Sequence, residues 1–249
     1  MRGRVLVIGG GGQLAHDLRQ VWPEAHPNDE LVGVTHDELD VTDPDSVRAG
    51  LRVHAPELVI NTAAFHKVDL IESTPAPAFD VNALGARNVA LACAEIGARC
   101  MFISTDYVFT RSPGRPHRED DPLEPADVYA ASKVAGETLV RLACPRHYIV
   151  RSCGLYGVAG ASGKGGNFVE TMLRLAANGK PIRVVDDQVM TPTPTFDLAR
   201  QLSALADHEA FGTYHATCQG ECSWYEFAGE IFRLAGLQPD LSPQSSAEA

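Results

Sequence analysis

The sequence predicts an α/β protein built on a doubly wound parallel sheet, with a smaller lobe towards the C-terminus. Three observations carry that expectation. Up to Arg151, short β-branched runs alternate with longer stretches whose apolar residues recur at helical spacing. The short runs are nearly continuously apolar, as strands covered on both faces are. After Tyr156 the rhythm changes to shorter elements separated by loops rich in Gly, Pro and Thr.

In chain order, strands are expected at Arg4–Ile8, Glu30–Thr35, Leu58–Asn61, Cys100–Ser104 and His147–Arg151. Helices are expected over Gln13–Val21, Asp45–His54, Pro77–Ile96 and Asp127–Leu142. Asp43-Pro44-Asp45 and Asn82-Ala83 read as helix starts, and Gly97 stands where a C-cap would be. Beyond Tyr156, Gly157–Gly166 and Asp186–Thr195 read as loops. Helices follow the pattern of Asn167–Ala177, Phe196–Ala206 and Ser223–Gly236, with strands at Pro181–Val185 and Gly212–Ala216. Leu237–Ala249 is polar and small, and is expected to fray.

The 249 residues are 45% hydrophobic and 21% charged, enough apolar side chain for a sizeable core and too much for a disordered chain. Lys and Arg number 21 against 32 Asp and Glu, a formal net charge of −11. That balance lacks the cationic footprint a nucleic-acid partner needs. No apolar run approaches the roughly 18 to 20 residues that cross a bilayer, and the apolar stretch at the N-terminus is too short for a signal peptide. A cytoplasmic protein with neither nucleic-acid nor membrane partners is expected. The six cysteines show no CxxC and no zinc-finger spacing, so reduced, mostly buried thiols are expected. His36, His66 and His117 have no partners at metal-ligand spacing, and no metal site is expected.

Ile8-Gly9-Gly10-Gly11-Gly12-Gln13-Leu14-Ala15 follows a strand and opens a helix. Glycines there let the backbone bend tightly and approach a pyrophosphate, which rests on free amides at the helix N-terminus. This is the setting of a Rossmann dinucleotide turn. The second strand ends in Val34-Thr35-His36, without the acid that usually binds a ribose 2′-hydroxyl, which leans the reading towards NADP(H). His36 is therefore a candidate cofactor contact. Asp40 is another, facing an adenine amino group or holding a turn.

Tyr129-Ala130-Ala131-Ser132-Lys133 lies on an expected helix, and residues four apart share a face. A free phenol, with a pKa of about 10, is a poor proton donor near neutrality, and a neighbouring cation lowers that value. The strand Cys100–Ser104 runs into Thr105-Asp106-Tyr107-Val108-Phe109. Ligands of an open parallel sheet bind beyond the carboxyl ends of its strands. Ser104 and Thr105 therefore emerge where the glycine turn delivers a cofactor. A hydroxyl there can hold a carbonyl oxygen while Tyr129 protonates it. Asp106 either orients that hydroxyl or caps the following loop.

With these motifs in this order, the chain resembles the extended short-chain dehydrogenase/reductases and, within them, the dTDP-4-dehydrorhamnose reductases. Further carriers of the resemblance are Leu39–Asp43, Asn61–Ala64, Val68-Asp69 with Glu72, Val81–Ala83, Arg118–Asp121, Asn167–Val169, Asp187-Gln188, Pro192-Thr193 and Ser223–Phe227. The resemblance implies NADPH-dependent reduction, with NADH as a second candidate, of the 4-keto group of dTDP-4-dehydro-L-rhamnose. It implies a catalytic trio of Thr105, Tyr129 and Lys133. It places the pyrophosphate on Gly9, Gly12, Gln13 and Leu14, and adenine and ribose beside Asp40, Ala63 and Ala64, with Tyr129 and Lys133 also touching the cofactor. Ser104, Asp106, Asn167 and Gln188 are the substrate-binding candidates. Residues 1–155 would form the NAD(P)-binding Rossmann domain and 156–249 a substrate-binding lobe not fully separable from it. Mg2+ dependence and oligomeric state, a homodimer included, stay open.

Three departures stand out. The family usually reads Arg-Thr-Ser-Trp-Val-Tyr-Gly after strand five, the Trp lying against the sugar. Here the segment is Arg151-Ser152-Cys153-Gly154-Leu155-Tyr156-Gly157. Met190 stands where a glycine is common, and the chain stops short of the family's usual C-terminal segment. These departures leave open another dTDP-4-keto-6-deoxyhexose, or a non-catalytic subunit of the methionine adenosyltransferase β type. Trp224 and Tyr225 read as lobe packing. Arg118–Asp121 reads as a solvated loop that caps the next helix, and Lys67, Asp69 and Glu72 as active-site rim or surface charges.

Overall fold

Successive side chains of a strand point to opposite faces, and in this chain both sets are apolar. The computed structural model describes residues 3–66, 71–110, 115–160 and 166–248. Its first five strands are β1 (Arg4–Ile8), β2 (Glu30–Val34), β3 (Leu58–Asn61), β4 (Arg99–Thr105) and β5 (His147–Ser152). Then come β6 (Leu155–Tyr156), β7 (Ile182–Val185), β8 (Val189–Met190), β9 (Thr193–Pro194), β10 (Gly212–His215), β11 (Cys222–Ser223) and β12 (Leu241–Gln244). Six of them make one parallel sheet in the order β2-β1-β3-β4-β5-β10.

Leu6, Ile8, Val59, Phe102 and Ile149 project from one face of this sheet into a core shared with α2 (Pro44–His54), α3 (Ala86–Ile96) and α4 (Val128–Ala143). Val5, Val7, Ile60, Met101 and Val150 project from the other face against α1 (Gln13–Ala25) and α6 (Thr195–Ala206). This is the doubly wound, Rossmann-like α/β arrangement expected. The strand order reverses at β1, whose neighbours are β2 and β3, and that reversal opens a crevice at the carboxyl edge.

The smaller lobe has its own core. Met172 on α5 (Phe168–Ala177) and Ile231 and Phe232 on α7 (Trp224–Ala235) pack on Ile182 and Val184 of β7, with Trp224 and Tyr225 against them. Both helices begin with a capping box, Asn167 with Glu170 and Ser223 with Glu226.

Two expectations need correction. The tail does not fray as a whole. Leu241–Gln244 is β12, paired in parallel with β7, because Leu241 finds the lobe core and the backbone finds an open edge. Such a short run carries no periodicity from which a strand could be read. Beyond residue 155, α6 and β10 return to the main sheet, in keeping with a lobe not fully separable from it. Asn82 does not start a helix. It sits in a widened π-type turn, Asp80–Gly85, within the helical run that begins at Ala76–Phe79 and continues as α3. Lys67, Asp69 and residues 161–165 of the expected loop lie outside the described residues. Among the described residues no helix is long and apolar enough to cross a membrane.

Candidate active site

The glycine turn is built by steric necessity. Gly9 adopts φ +88°, and the Gly9 and Gly10 amides both donate to the Val34 carbonyl, at 3.0 and 2.7 Å. A Cβ on Gly10 would stand 2.7 Å from the Gly33 carbonyl carbon, so this position admits only glycine where β1 turns over β2. Sequence reasoning singled out Gly9 and Gly12 and missed Gly10, whose constraint comes from the neighbouring strand. Gly12 is the N-cap of α1 and supplies no capping side chain, so the first-turn amides are available to an anion.

A cleft of about 590 Å³ opens beside this turn, lined by Gly9, Gly12, Thr35, His36, Asp40, Ala63 and Ala64 among others. These residues fit a dinucleotide: backbone amides for a pyrophosphate, and small side chains where a flat ring would lie. Asp40 Oδ1 accepts from the Thr42 amide and hydroxyl, both at 2.8 Å, so its carboxylate holds a turn. The exposed His36 ring lies 3.8 Å from it. Leu14 is buried in the core, which leaves only its backbone to the cleft. Gln13 Nε2 reaches the Leu155 carbonyl at 3.5 Å, and its buried Oε1 has no partner among the described residues.

Thr105 and Tyr129 come together at the tip of β4, with Lys133 buried one turn further along α4. Asp127 caps α4 by accepting from the Ala130 amide at 2.6 Å, and Glu72 accepts from the Val128 amide at 2.9 Å. This start of α4 brings the Tyr129 side chain close enough to Thr105 for the two to interact. Burial, followed by the carboxyl of Asp106, pushes the Tyr129 phenol above its usual range. The lowering expected from Lys133 is therefore not what this geometry produces. Lys133 is itself buried, its Nζ donating to the Ile103 carbonyl at 2.7 Å and lying 4.0 Å from the centre of the Phe102 ring. Burial pulls the lysine down to about 7, with Glu137 pulling the other way.

Asp106 orients the hydroxyl. Its Oδ1 accepts from Thr105 Oγ1 at 3.1 Å, while its Oδ2 accepts from the Cys153 thiol at 2.8 Å. Burial raises this carboxyl against both bonds. Ser104 points the other way. Its hydroxyl is buried and donates to Glu137 at 2.6 Å, so the alternation along β4 removes it from the cleft and leaves Thr105 there. Asn167 spends its side chain on the α5 cap and on the Gly157 carbonyl, at 2.7 Å. Gln188 is exposed and donates to Ser246 at 2.9 Å. The trio and the glycine turn thus share one edge of the sheet, while the two lobe candidates are engaged elsewhere.

Asn82 was missed as a site residue. Its amide brackets Phe65, accepting from the backbone N–H at 2.8 Å and donating to the carbonyl at 2.9 Å, and also donates to Ser132 on α4 at 2.9 Å. It ties the segment after β3 to the helix of Tyr129. The signal available was a single Asn amid apolar residues, and its meaning depends on partners 17 and 50 positions away. Arg118–Asp121 is more than a solvated loop, since the Glu119 carboxylate accepts from the His215 amide at 3.2 Å. Among the described residues no group of three or more His, Cys, Asp or Glu side chains is placed to hold a metal ion.

Residues 3–249 match the family model described as the RmlD substrate binding domain. The chain belongs to this family. It is 43% identical over 244 residues to a dTDP-4-dehydrorhamnose reductase of Streptomyces griseus, covering 96% of this chain and 78% of that one. It is 42% identical over 246 residues to the spore coat polysaccharide biosynthesis protein SpsK of Bacillus subtilis, covering 98% and 84%. Its fold is similar to the crystal structure of a dTDP-4-dehydrorhamnose reductase from Bacillus anthracis in complex with NADP. There the TM-score is 0.92, with 37% identity and coverage of 100% of this chain and 86% of that one. The chain shares with that NADP complex the parallel-sheet fold in which its glycine turn follows β1.

Proposed function

We propose that the chain reduces the 4-keto group of a dTDP-4-dehydro-6-deoxy sugar, with dTDP-4-dehydro-L-rhamnose as the substrate and dTDP-L-rhamnose as the product. What supports this reading is the nearness of Thr105 and Tyr129, with Lys133 one helical turn behind, at the sheet edge that also holds the glycine turn. NADPH, when bound, supplies the hydride. Gly9, Gly12 and the first-turn amides of α1 would hold its pyrophosphate, and Ala63 and Ala64 its adenosine side.

Thr105, on a rigid strand tip, orients the carbonyl oxygen. Tyr129 gives that oxygen a proton as negative charge develops on it. A phenol raised by burial stays protonated at neutral pH, which suits a reduction in which it must start as the acid. Lys133, one turn further along α4, brings positive charge to the same face. A reading in which the chain only binds cofactor gives this hydroxyl–phenol–ammonium set no task.

The test is NADPH consumption by the purified protein with dTDP-4-dehydrorhamnose, beside Tyr129→Phe. We expect turnover by the parent and a fall of about 10²- to 10⁴-fold in the variant, the usual range for removing a general acid. Tight NADPH binding without turnover on any 4-keto sugar nucleotide would overturn the reading.

A further inference from the structure

We propose that Glu137 is a positioning residue for this reaction, locking the tips of β4 and β5 onto the Tyr129–Lys133 face of α4 and keeping a negative charge behind Lys133. The proposal rests on the catalytic roles given above to Thr105, Tyr129 and Lys133.

Tyr129, Lys133 and Glu137 follow one another at intervals of four on α4, so they form a single stripe. Glu137 lies at the inner end of that stripe, 0% exposed. Its Oε1 accepts from Ser104 Oγ at 2.6 Å and from Arg151 Nε at 2.9 Å, and its Oε2 accepts from Arg151 Nη2 at 2.7 Å. Ser104 and Arg151 are register partners across β4 and β5. One carboxylate therefore fastens two strand tips to the helix, next to Thr105 on one side and a turn from Lys133 on the other. Arg151 extends the clamp, its Nη1 donating to the Glu119 carbonyl at 3.2 Å and its guanidinium lying 5.1 Å from the centre of the Phe109 ring.

A fully buried ion pair is a poor device for stability alone, because well-packed apolar side chains of similar volume do as well or better. Its location argues for geometry and charge. The distance between Thr105 and Tyr129 is set by how β4 sits on α4, and the Ser104–Glu137 bond is one residue away from that contact. Among the described residues, Glu137 is the charged side chain acting on Lys133, with Arg151 behind it and the Tyr129 phenol on the preceding turn. Its negative charge favours the ammonium form of Lys133 against the cost of burial.

The experiment compares Glu137→Gln, Glu137→Asp and Ser104→Ala with Tyr129→Phe in the full chain, recording thermal unfolding, KM for NADPH and the pH profile of kcat. Glu137→Gln is expected to lower kcat at least tenfold and to move the alkaline limb of the profile to lower pH, since Lys133 then loses its proton more readily. Glu137→Asp, which keeps the charge but shortens the reach, is expected to leave the limb in place while kcat falls. Ser104→Ala is expected to lower kcat several-fold with KM for NADPH unchanged. A folded Glu137→Gln with the parent's kcat and an unmoved limb would overturn the proposal. If Glu137→Gln does not fold, Ser104→Ala decides, and the parent's kcat in that variant overturns it. Retained activity in Tyr129→Phe would instead break the underlying catalytic reading, so the two failures are distinguishable.

Discussion

The Cys153 thiol donates to Asp106 Oδ2 across 2.8 Å, joining the turn after β5 to the strand tip that carries Thr105. The same turn is held from its other side, where the Thr191 amide donates to Cys153 Sγ at 3.3 Å. A residue that reads as a buried thiol in the sequence therefore links the lobe, through Asp106, to the Thr105 hydroxyl.

Removing that donor leaves a buried carboxyl oxygen short of a partner. Cys153→Ala is expected to cost about 1–3 kcal/mol of stability, the usual penalty for an unsatisfied buried acceptor. Cys153→Ser, which keeps a donor, should cost less. Denaturant unfolding of the two variants checks the order, and equal losses would show that the bond matters less than the volume.

Lys133 makes stability depend on pH. Its folded value, about 7, lies below the ordinary 10.5, so between those values the unfolded chain binds more protons and stability rises with pH. The penalty of burying this amine is fully present below about 7 and has gone by 10.5. Lys133→Met, which removes the amine, is expected to be more stable than the parent at neutral pH. Its lead should shrink as pH rises through that window, as read by chemical unfolding at several pH values.

The glycine turn offers a matched pair. A Cβ at Gly10 meets backbone at 2.7 and 2.8 Å, whereas one at Gly11 meets nothing within 4 Å. Gly10→Ala is expected to cost about 1–3 kcal/mol, as overpacking does, and to weaken NADPH binding by forcing the turn away from β2. Gly11→Ala should unfold at nearly the parent's temperature. Thermal melts with and without NADPH test both statements.

Gly154 and Met190 occupy one space. Gly154 has φ +54°, and a Cβ there would lie 2.8 Å from Met190 Sδ and 3.2 Å from Pro192 Cα. The aromatic residue usual in the family at this position has no room while Met190 crosses it. Gly154→Ala is expected to destabilise by about 1–3 kcal/mol, from overpacking and the left-handed backbone together. Adding Met190→Gly should return part of that loss, the backbone share remaining. A double-mutant cycle by thermal unfolding measures the coupling, and strictly additive losses would show that the two positions do not compensate.

The sequence by itself determined the sheet, its helices and the shared face of Tyr129 and Lys133, because each is written in local spacing. Leu6 and Ile8 alternate with Val5 and Val7 within one strand, and Tyr129 and Lys133 lie one helical turn apart. The glycine cluster was equally plain after β1. Partners distant in the chain were the business of tertiary structure alone. It turned Ser104 away from the cleft and onto Glu137, engaged Asn167 in a helix cap, set Asn82 between Phe65 and Ser132, and found β12 an edge to pair with. It also reversed the expected shift of Tyr129, since burial and a neighbouring carboxyl act through distances that no spacing along the chain encodes.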